Sequence, residues 1–408
     1  MGKIAVDKII NGLITRKVCV MHLDSLKIKN FRILEDVTIE KLGHVNLIVG
    51  KNNSGKSTVL EALALLASGF KSNILYQIAS NRSSLILNPN QETSVKEPNI
   101  LIKDFFTDNN YNQEVPTIFI GDTKNSIQIR VLESDKFDKH TYYDEIKHSL
   151  ITTYSERHTF SKTTKGLLSF NTIENGLEIK LPNKDTFYTE LNLDDSLNLL
   201  QFLKLEQSSP LAYIDTRVVN LPKLASDWDK LVFTEAETEV IQALKIIVPN
   251  IQNLAFITDK KFHQKYANSE DVRIPYIKLL DSDGGYPLTA MGDGIMRLLQ
   301  IILKIFSAKN GFLLIDEFEN GLHYSVQPKV WELIFELAYR FNIQVFATTH
   351  SWDCIESFSQ VAKDRTDMEG VLFRMGHSVR KSDKGKLIAT VFDEDDLYNL
   401  TKMNIEVR

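Results

Sequence analysis

The chain has 408 residues, a mass of 46.6 kDa and a formal net charge of −5. Hydrophobic residues make up 43% of it and charged residues 25%, a composition typical of globular proteins that excludes collagen-like and wholly disordered chains. The excess of 53 acidic over 48 basic residues excludes a generally basic nucleic-acid binder, while a local basic patch stays compatible with it. The length allows two or three domains, or one large domain with an insertion.

Cysteine content and hydropathy favour a cytoplasmic protein without membrane contact. Cys19 and Cys354 are the only cysteines, which excludes a disulfide framework and a zinc site built on paired cysteines. No apolar run approaches the roughly 20 residues of a membrane helix, and the N-terminus lacks the pattern of a secretory signal. Residues 1–22 are predicted to form a peripheral, mostly basic extension.

In chain order, the first predicted elements are a β-hairpin and a buried strand. Apolar residues alternate in 26–28 and in 37–39 and become continuous over 44–49. The pattern is irregular from 71 to 210, with polar breaks rich in Asn, which predicts an inserted α+β subdomain with its own short elements. From 211 onward strands and helices alternate, as in an α/β sheet.

The strongest motif lies at 50–57, which reads Gly-Lys-Asn-Asn-Ser-Gly-Lys-Ser and fits the phosphate-loop pattern G-x-x-x-x-G-K-S/T. It stands between the strand ending at Val49 and an apolar helix predicted from Ser57 to about Ala67, stopped by Gly69. Such a loop turns its backbone N–H groups toward phosphate at a helix N-terminus. Lys56 is predicted to reach the β- and γ-phosphates, and the Ser57 hydroxyl is predicted to bind Mg²⁺.

A second motif follows the apolar strand 312–315, where Asp316 and Glu317 stand at the carboxyl end. Ligands of open α/β sheets bind at this end of the strands. Asp316 is therefore predicted to hold Mg²⁺ as a Walker B acid does, and Glu317 to act as the general base on the attacking water. A third buried strand, 344–349, ends in His350, which is predicted to contact the γ-phosphate or position water.

A glycine-rich turn at 291–294, Met-Gly-Asp-Gly, opens the helix predicted from Ile295 to Phe306. Its free N–H groups could bind the phosphates of another molecule, with Arg297 one turn into the helix, or the segment could be a plain strand-to-helix turn. Residue types alone leave these two interpretations open.

The order of these motifs resembles the ABC-type ATPases of the OLD and RecF/SMC-like group. The resemblance also rests on 31–32 (Phe-Arg), 315–323 (Ile-Asp-Glu-Phe-Glu-Asn-Gly-Leu-His) and 347–351 (Ala-Thr-Thr-His-Ser). It covers 23–70 and 211–408, which it implies to be an ATPase head of P-loop, ABC type, interrupted by the insertion 71–210. It is nearest to stand-alone AAA-annotated bacterial ATPases found with phage-defence genes.

The resemblance also implies roles for individual residues. Arg32 would contact nucleotide phosphates, Gly292, Asp293 and Gly294 would meet ATP across a dimer as the signature loop, and 320–323 would be the D-loop. The signature loop lacks the Leu-Ser-Gly-Gly sequence of transporters and SMC proteins. Such ATPases also carry a glutamine in a loop between their lobes. Three residues are candidates for it, and the choice among them stays open: Gln77, Gln113 and Gln207.

The predicted site residues fall into three sets. The catalytic residues are Glu317, His350 and Lys56. The metal ligands are Ser57 and Asp316. The residues predicted to bind ATP are Arg32, Gly50, Asn52, Asn53, Ser54, Gly55, Lys56, Ser57, Thr58, Gly292, Asp293 and Gly294.

The function expected from this resemblance is an ATP-hydrolysing switch. It would dimerise around ATP with Mg²⁺, as a homodimer or an oligomer of dimers, and control a separately encoded effector, expected to be a nuclease, in bacterial anti-phage defence. Only 58 residues follow His350, too few for the Toprim domain of about 100 residues that OLD-type nucleases append. The alternative is a DNA-repair or recombination ATPase that binds DNA directly.

A predicted hairpin near the C-terminus bears on that alternative. It carries Arg374, Arg380, Lys381, Lys384 and Lys386. Five basic residues could bind a phosphate backbone, but a solvated hairpin face is the favoured explanation.

Overall fold

The computed structural model describes residues 22–81, 85–87, 98–107, 117–133, 137–144, 149–156, 170–172, 175–182, 185–190, 196–198, 209–216, 219–258, 272–365, 367–383 and 385–392. The predicted N-terminal extension, except residue 22, lies outside these ranges, as do Gln113, Gln207 and Lys384.

The helices and strands of this part of the chain are numbered in chain order. The helices are α1 (Lys56–Ser68), α2 (Ser72–Asn81), α3 (Leu221–Asp229), α4 (Glu235–Leu244), α5 (Asp293–Ser307), α6 (Gln327–Phe341) and α7 (Trp352–Asp364). The strands are β1 (Leu26–Phe31), β2 (Leu34–Ile39), β3 (Val45–Val49), β4 (Leu85–Leu87), β5 (Pro98–Leu101), β6 (Ile118–Gly121), β7 (Ser126–Glu133), β8 (Phe137–Asp144), β9 (Ser149–Glu156), β10 (Phe170–Thr172), β11 (Asn175–Lys180), β12 (Thr186–Glu190), β13 (Ser196–Asn198), β14 (Leu211–Ile214), β15 (Ile251–Thr258), β16 (Arg273–Leu279), β17 (Gly285–Pro287), β18 (Phe312–Ile315), β19 (Gln344–Thr348), β20 (Gly370–His377) and β21 (Leu387–Phe392).

The central sheet has the strand order β14-β18-β19-β3-β20-β21. Neighbouring strands within this sheet are parallel, except that β21 pairs with β20 in the antiparallel sense. Every residue of β3, β18 and β19 is buried, which explains why their sequences are almost continuously apolar. Because parallel strands in register end together, the segments that follow β3, β18 and β19 meet at one edge of this sheet.

Two hydrophobic clusters cover the two faces of the central sheet. On one face, Val45 and Leu47 pack with α3 to α7 and with β15. On the other, Ile48 packs with α1 and with residues of β1, β2 and β6. Alternate side chains of one strand point to opposite faces, so β3 joins both clusters. Eleven of the thirteen residues of α1 are buried, since this helix lies between the central sheet and a second sheet.

The second sheet is antiparallel, with the order β12-β11-β7-β6-β1-β2. The predicted hairpin forms its edge, with Ile28 opposite Val37, and β1 also pairs with β6. Residues 118–190 of the predicted insertion therefore contribute four strands to a sheet that begins at residue 26. This part of the insertion extends the head, because its strands complete the backbone hydrogen bonding of β1. The limits 71 and 210 themselves stay a prediction.

Three smaller sheets have the orders β10-β8-β9, β13-β5-β4 and β15-β16-β17. The helix predicted after the phosphate-loop motif is α1, which ends at Gly69 in the left-handed conformation (φ 60°), as glycine C-caps do. The predicted C-terminal hairpin is β20–β21, in which Arg380 and Lys381 are exposed while Lys386 pairs with Glu35 at 3.0 Å. No helix within the described ranges combines the length and apolar character needed to cross a membrane.

Candidate active site

The loop 50–55 joins β3 to α1 and has the backbone shape of an anion-binding turn. Gly50, Asn53 and Gly55 have positive φ angles of 147°, 61° and 88°. A Cβ atom at Gly50 would lie 2.3 Å from the Met375 carbonyl oxygen and 2.6 Å from Ser54 Oγ, so only glycine fits there. Gly55 is covered by Ile33 and Leu34, at the turn of the β1–β2 hairpin.

Lys56 is the first residue of α1, and its ammonium group bends back over the loop. Nζ donates hydrogen bonds to the carbonyl oxygens of Gly50, at 2.7 Å, and Lys51, at 2.9 Å. Burial lowers the pKa of Lys56 below its ordinary value of 10.5, against the opposing attraction of Asp316, Glu319 and Glu317. The cation thus lies between the loop and the acids that follow β18.

Ser57 and Asp316 lie side by side, although 259 positions separate them in sequence. Ser57 Oγ donates to Asp316 Oδ1 at 3.1 Å, and Thr348 Oγ1 donates to the same oxygen at 2.6 Å. Thr348 ends β19, the strand between β18 and β3. The parallel register therefore brings the two predicted metal ligands together.

Glu317 adopts the left-handed conformation, with φ of 49°, which is uncommon for a residue other than glycine, asparagine or aspartate. Its N–H donates to Thr348 Oγ1 at 2.9 Å, and its carboxylate oxygen Oε2 accepts from Asn320 Nδ2 at 2.8 Å. The surrounding hydrogen bonds thus fix both the backbone and the carboxylate of this residue.

His350 is held by Glu319. Its backbone N–H donates to Glu319 Oε1 at 3.0 Å, and its ring Nδ1 lies 3.2 Å from the same oxygen. The side chain of His350 is 52% exposed, so about half of its surface stays accessible to a ligand. The segment after β18 therefore orients the predicted histidine through Glu319.

The glycine-rich turn before α5 contacts the segment 320–323 of the same chain. A Cβ atom at Gly294 would lie 2.6 Å from the Gly321 carbonyl oxygen, whereas one at Gly292 would meet nothing within 4 Å. Gly292 has φ of 97°, and both Gly292 and Asp293 are exposed. The turn thus packs on the residues predicted as the D-loop and presents Gly292 and Asp293 to solvent.

Arg297, one turn into α5, does not face the exposed turn that the sequence leaves open as a phosphate site. Its side chain is buried, with the residue 6% exposed. Nη2 donates to the carbonyl oxygens of Asp316 at 2.8 Å and Glu317 at 3.1 Å, and Nη1 to that of Asp215 at 3.2 Å. The sequence carries a signal for this role, because an arginine among the apolar residues of α5 must find buried acceptors.

Arg32 directly follows β1, and the family resemblance implies that it contacts nucleotide phosphates. Its Nε lies 3.1 Å from Glu61 Oε2 of α1, and its guanidinium stacks over Phe105 at 5.2 Å. The structure thus joins Arg32 to the helix of the phosphate loop, and the phosphate contact stays a prediction.

The remaining predicted residues of the loop differ in exposure. Asn52 and Asn53 are exposed, while Ser54 and Thr58 are buried. Of the three candidate glutamines, Gln77 is within the described ranges, and its Nε2 lies 3.5 Å from Asp215 Oδ2. Residues 281–283 lie in the turn between β16 and β17, where Ser282 Oγ donates to the carbonyl oxygen of Leu279.

The residues of this site fit a nucleoside triphosphate and a divalent cation. Ser54 Oγ of the loop is buried without a hydrogen-bond partner within the described part of the chain, so its hydroxyl can serve a phosphate oxygen. The oxygens of Ser57 and Asp316 form a hard-donor pair of the kind that suits Mg²⁺. No cluster of three or more His, Cys, Asp or Glu side chains suited to a metal occurs among the described residues.

Comparison with known proteins agrees with this geometry. Residues 21–245 and 220–355 match the family model described as the AAA ATPase domain. The chain belongs to this family. It is 24% identical over 365 residues to an ATP/GTP phosphatase of Helicobacter pylori, covering 84% of this chain and 89% of that protein. The protein is an ATPase, and its fold is the α/β, P-loop fold predicted from the sequence.

Two further similarities are more limited. The chain is 24% identical over 243 residues to the DNA replication and repair protein RecF of Francisella tularensis subsp. mediasiatica, covering 57% of this chain and 61% of RecF. An SMC head bound to the C-winged helix domain of ScpA superposes with a TM-score of 0.46 at 12% identity, covering 91% of this chain and 98% of that one.

Proposed function

We propose that the protein is an ATP-driven switch whose two states are a monomer and a dimer closed around ATP. In this proposal the N–H groups of the loop 50–55 and the Lys56 ammonium bind the β- and γ-phosphates. The single observation that carries it is the convergence of Lys56, Ser57, Asp316 and Glu317 at one edge of the central sheet.

Each remaining residue of the proposed site has a separate task. Ser57 and Asp316 hold Mg²⁺, which when bound would supply positive charge to the phosphate oxygens. Glu317, fixed by Asn320, accepts the proton of the attacking water. His350, oriented by Glu319, donates or accepts a hydrogen bond at the γ-phosphate or at that water.

Dimer closure is supported by the exposed turn at Gly292 and Asp293. These residues lie at the N-terminus of α5, where backbone N–H groups favour an anion. In a two-fold symmetric dimer, this turn of each subunit covers the nucleotide that is bound to the other subunit. The contact of Gly294 with Gly321 then links closure to the segment after β18, which holds Glu317 and Asn320.

The dimer can be tested by light scattering with ATP and Mg²⁺, on a Glu317→Gln background that slows hydrolysis. We expect the Glu317→Gln protein to double its mass with ATP. Adding Asp293→Trp places a bulky side chain at the exposed turn and should block closure while ATP still binds. Asp283→Trp, at an exposed acid in the β16–β17 turn, is the matched control and should dimerise normally. Equal dimerisation of both double variants would contradict closure through the glycine-rich turn.

The partner of the switch is proposed to be a separately encoded effector, a nuclease in bacterial anti-phage defence. This part rests on the resemblance in motif order to ATPases found with phage-defence genes. Copurification with the products of neighbouring genes, with and without ATP, tests it. If no partner copurifies with or without ATP, the proposal of a separately encoded effector is wrong.

The second candidate is a DNA-repair ATPase that binds DNA directly, which the similarity to RecF favours. Its most plausible DNA contact is the β20–β21 hairpin, where Arg380 and Lys381 are exposed. Direct binding of duplex DNA by the ATP-bound dimer, with an affinity that falls steeply with salt and after Arg380→Glu and Lys381→Glu, would favour this candidate.

A further inference from the structure

A cavity of about 790 Å³ lies beside β14, the outermost strand of the central sheet on the Walker B side. One wall is α2, which contributes Tyr76 and Gln77, and the other is formed by α3 and α5. Its volume falls in the range of about 300–1,000 Å³ that holds small ligands. Gln77, one of the three candidates for the glutamine between the lobes, lines this cavity, but none of the residues given a role in the proposed nucleotide site does.

The lining combines aromatic rings with polar groups that donate and accept hydrogen bonds. Tyr76 and Tyr213 provide the rings, and Tyr76 is 46% exposed. The carboxamides of Asn73, Gln77 and Asn220 can each donate and accept. Ring faces beside carboxamides suit a planar heterocycle such as a nucleobase, which stacks on the rings and pairs with the amides through its edge.

Two lysines give the cavity a cationic side. Lys304 is buried and pairs with Asp227 at 2.5 Å, and Lys230 already contacts the same carboxylate at 3.1 Å. Lys223 lies at the rim. Burial, followed by the nearby charge of Lys304, lowers the pKa of Lys223 below its ordinary value of 10.5. The charges of Asp227 and Asp215 oppose this lowering, and an anion at the rim would act on the Lys223 ammonium in the same direction as these two acids.

We propose that this cavity is a second ligand site, which binds a phosphate-bearing nucleotide independently of the phosphate loop. The base stacks on Tyr76 and Tyr213, and the phosphate pairs with Lys223 at the rim. This inference goes beyond the proposed dimer switch and does not depend on it.

The site has a direct connection to the catalytic residues. Gln300 and Asp215 both line the cavity and both accept hydrogen bonds from Arg297 Nη1, at 3.2 Å each. Through its other nitrogen, Arg297 holds the carbonyl of Asp316. A nucleotide that moves Gln300 or Asp215 therefore changes the position of Arg297 and, with it, the rate of ATP hydrolysis. The cavity is a regulatory site.

The test uses nucleoside monophosphates, because they lack the β- and γ-phosphates that the phosphate loop is proposed to bind. Titration calorimetry with AMP, GMP, CMP and UMP is carried out on the full chain and on Lys56→Ala. We expect at least one monophosphate to bind both proteins equally. Tyr76→Ala should weaken binding by about tenfold through lost stacking, and Lys223→Glu should abolish it. Lys230→Glu is the matched control, because Lys230 contacts Asp227 without lining the cavity, and it should bind normally.

Three results would overturn the proposal. The first is the absence of binding for all four monophosphates. The second is binding that Lys56→Ala abolishes while Tyr76→Ala and Lys223→Glu leave it intact, since the probe would then occupy the phosphate loop. The third is inorganic phosphate binding as tightly as the monophosphates, which would contradict base recognition. The regulatory link is overturned if a saturating monophosphate leaves the ATPase rate unchanged.

Discussion

The guanidinium of Arg297 donates a hydrogen bond of 2.8 Å to the carbonyl oxygen of Asp316, and a second of 3.1 Å to that of Glu317. Arg297 lies one turn into α5, whose first turn packs on Gly321. One buried cation thus connects the glycine-rich turn to the two acids that end β18. Burial lowers the pKa of Arg297 below its ordinary value, yet arginine stays charged in proteins, so these bonds persist across physiological pH.

Replacing Arg297 should impair hydrolysis more than nucleotide binding. Arg297→Met keeps a long apolar stem but removes the donors that fix the backbone of Glu317. We expect kcat to fall by roughly 10²-fold, with the affinity for ATP little changed, and Arg297→Lys to restore part of the rate. Steady-state kinetics and a separate binding measurement check this. Arg340→Met, at an exposed arginine paired with Glu239, is the control. A parallel loss of affinity and rate would show that Arg297 supports the fold alone.

Lys56→Ala should abolish ATP binding, because the loop loses the cation that faces the β- and γ-phosphates. Equilibrium binding of a fluorescent ATP analogue measures this. Lys51→Ala, in the same loop but exposed, is the matched control and should bind normally. Equal affinity of Lys56→Ala and the unchanged protein would refute the assignment of the phosphate loop.

Glu317→Gln should retain ATP but hydrolyse it roughly 10²- to 10⁴-fold more slowly. The amide keeps the shape of the carboxylate and can still accept from Asn320, while it can no longer take a proton from water. Phosphate release under single-turnover conditions is the readout. Normal turnover would mean that another group activates the water, and a His350→Ala variant would then be examined first.

Gly294→Ala should destabilise the protein, because its Cβ would lie 2.6 Å from the Gly321 carbonyl oxygen. A forced shift of backbone in a packed turn costs about 1–3 kcal/mol. Gly284→Ala is the control, since a Cβ there meets nothing within 4 Å. Denaturant unfolding of the two variants should differ by that amount. Equal stabilities would show that the turn before α5 can move away from 320–323.

Cys354 should resist alkylation in the folded protein. It is fully buried in α7, and burial raises the pKa of its thiol well above the ordinary value of 9.0, so the reactive thiolate is scarce even at pH 9. Treatment with iodoacetamide at pH 8.5, with and without denaturant, followed by peptide mass spectrometry separates Cys354 from Cys19. Rapid labelling of Cys354 without denaturant would show that α7 opens readily.

The sequence by itself determined the parts of this protein whose signals are local. The loop 50–57, the helix stopped by Gly69 and the buried strands before Asp316 and His350 each show a pattern readable within about ten residues. Parallel strands place their carboxyl ends at one edge, so the meeting of Ser57 with Asp316 was also foreseeable.

Only the tertiary structure decided contacts between distant segments. One such contact is the pairing of β1 with β6, through which residues 118–190 contribute strands to the second sheet. This pairing has no local signature in the sequence, because strands of similar composition can pair in many orders. The direction of the Arg297 side chain was likewise undetermined by its sequence neighbours. A buried guanidinium goes where carbonyl oxygens converge, and those of Asp215, Asp316 and Glu317 converge only once β14 and β18 are paired.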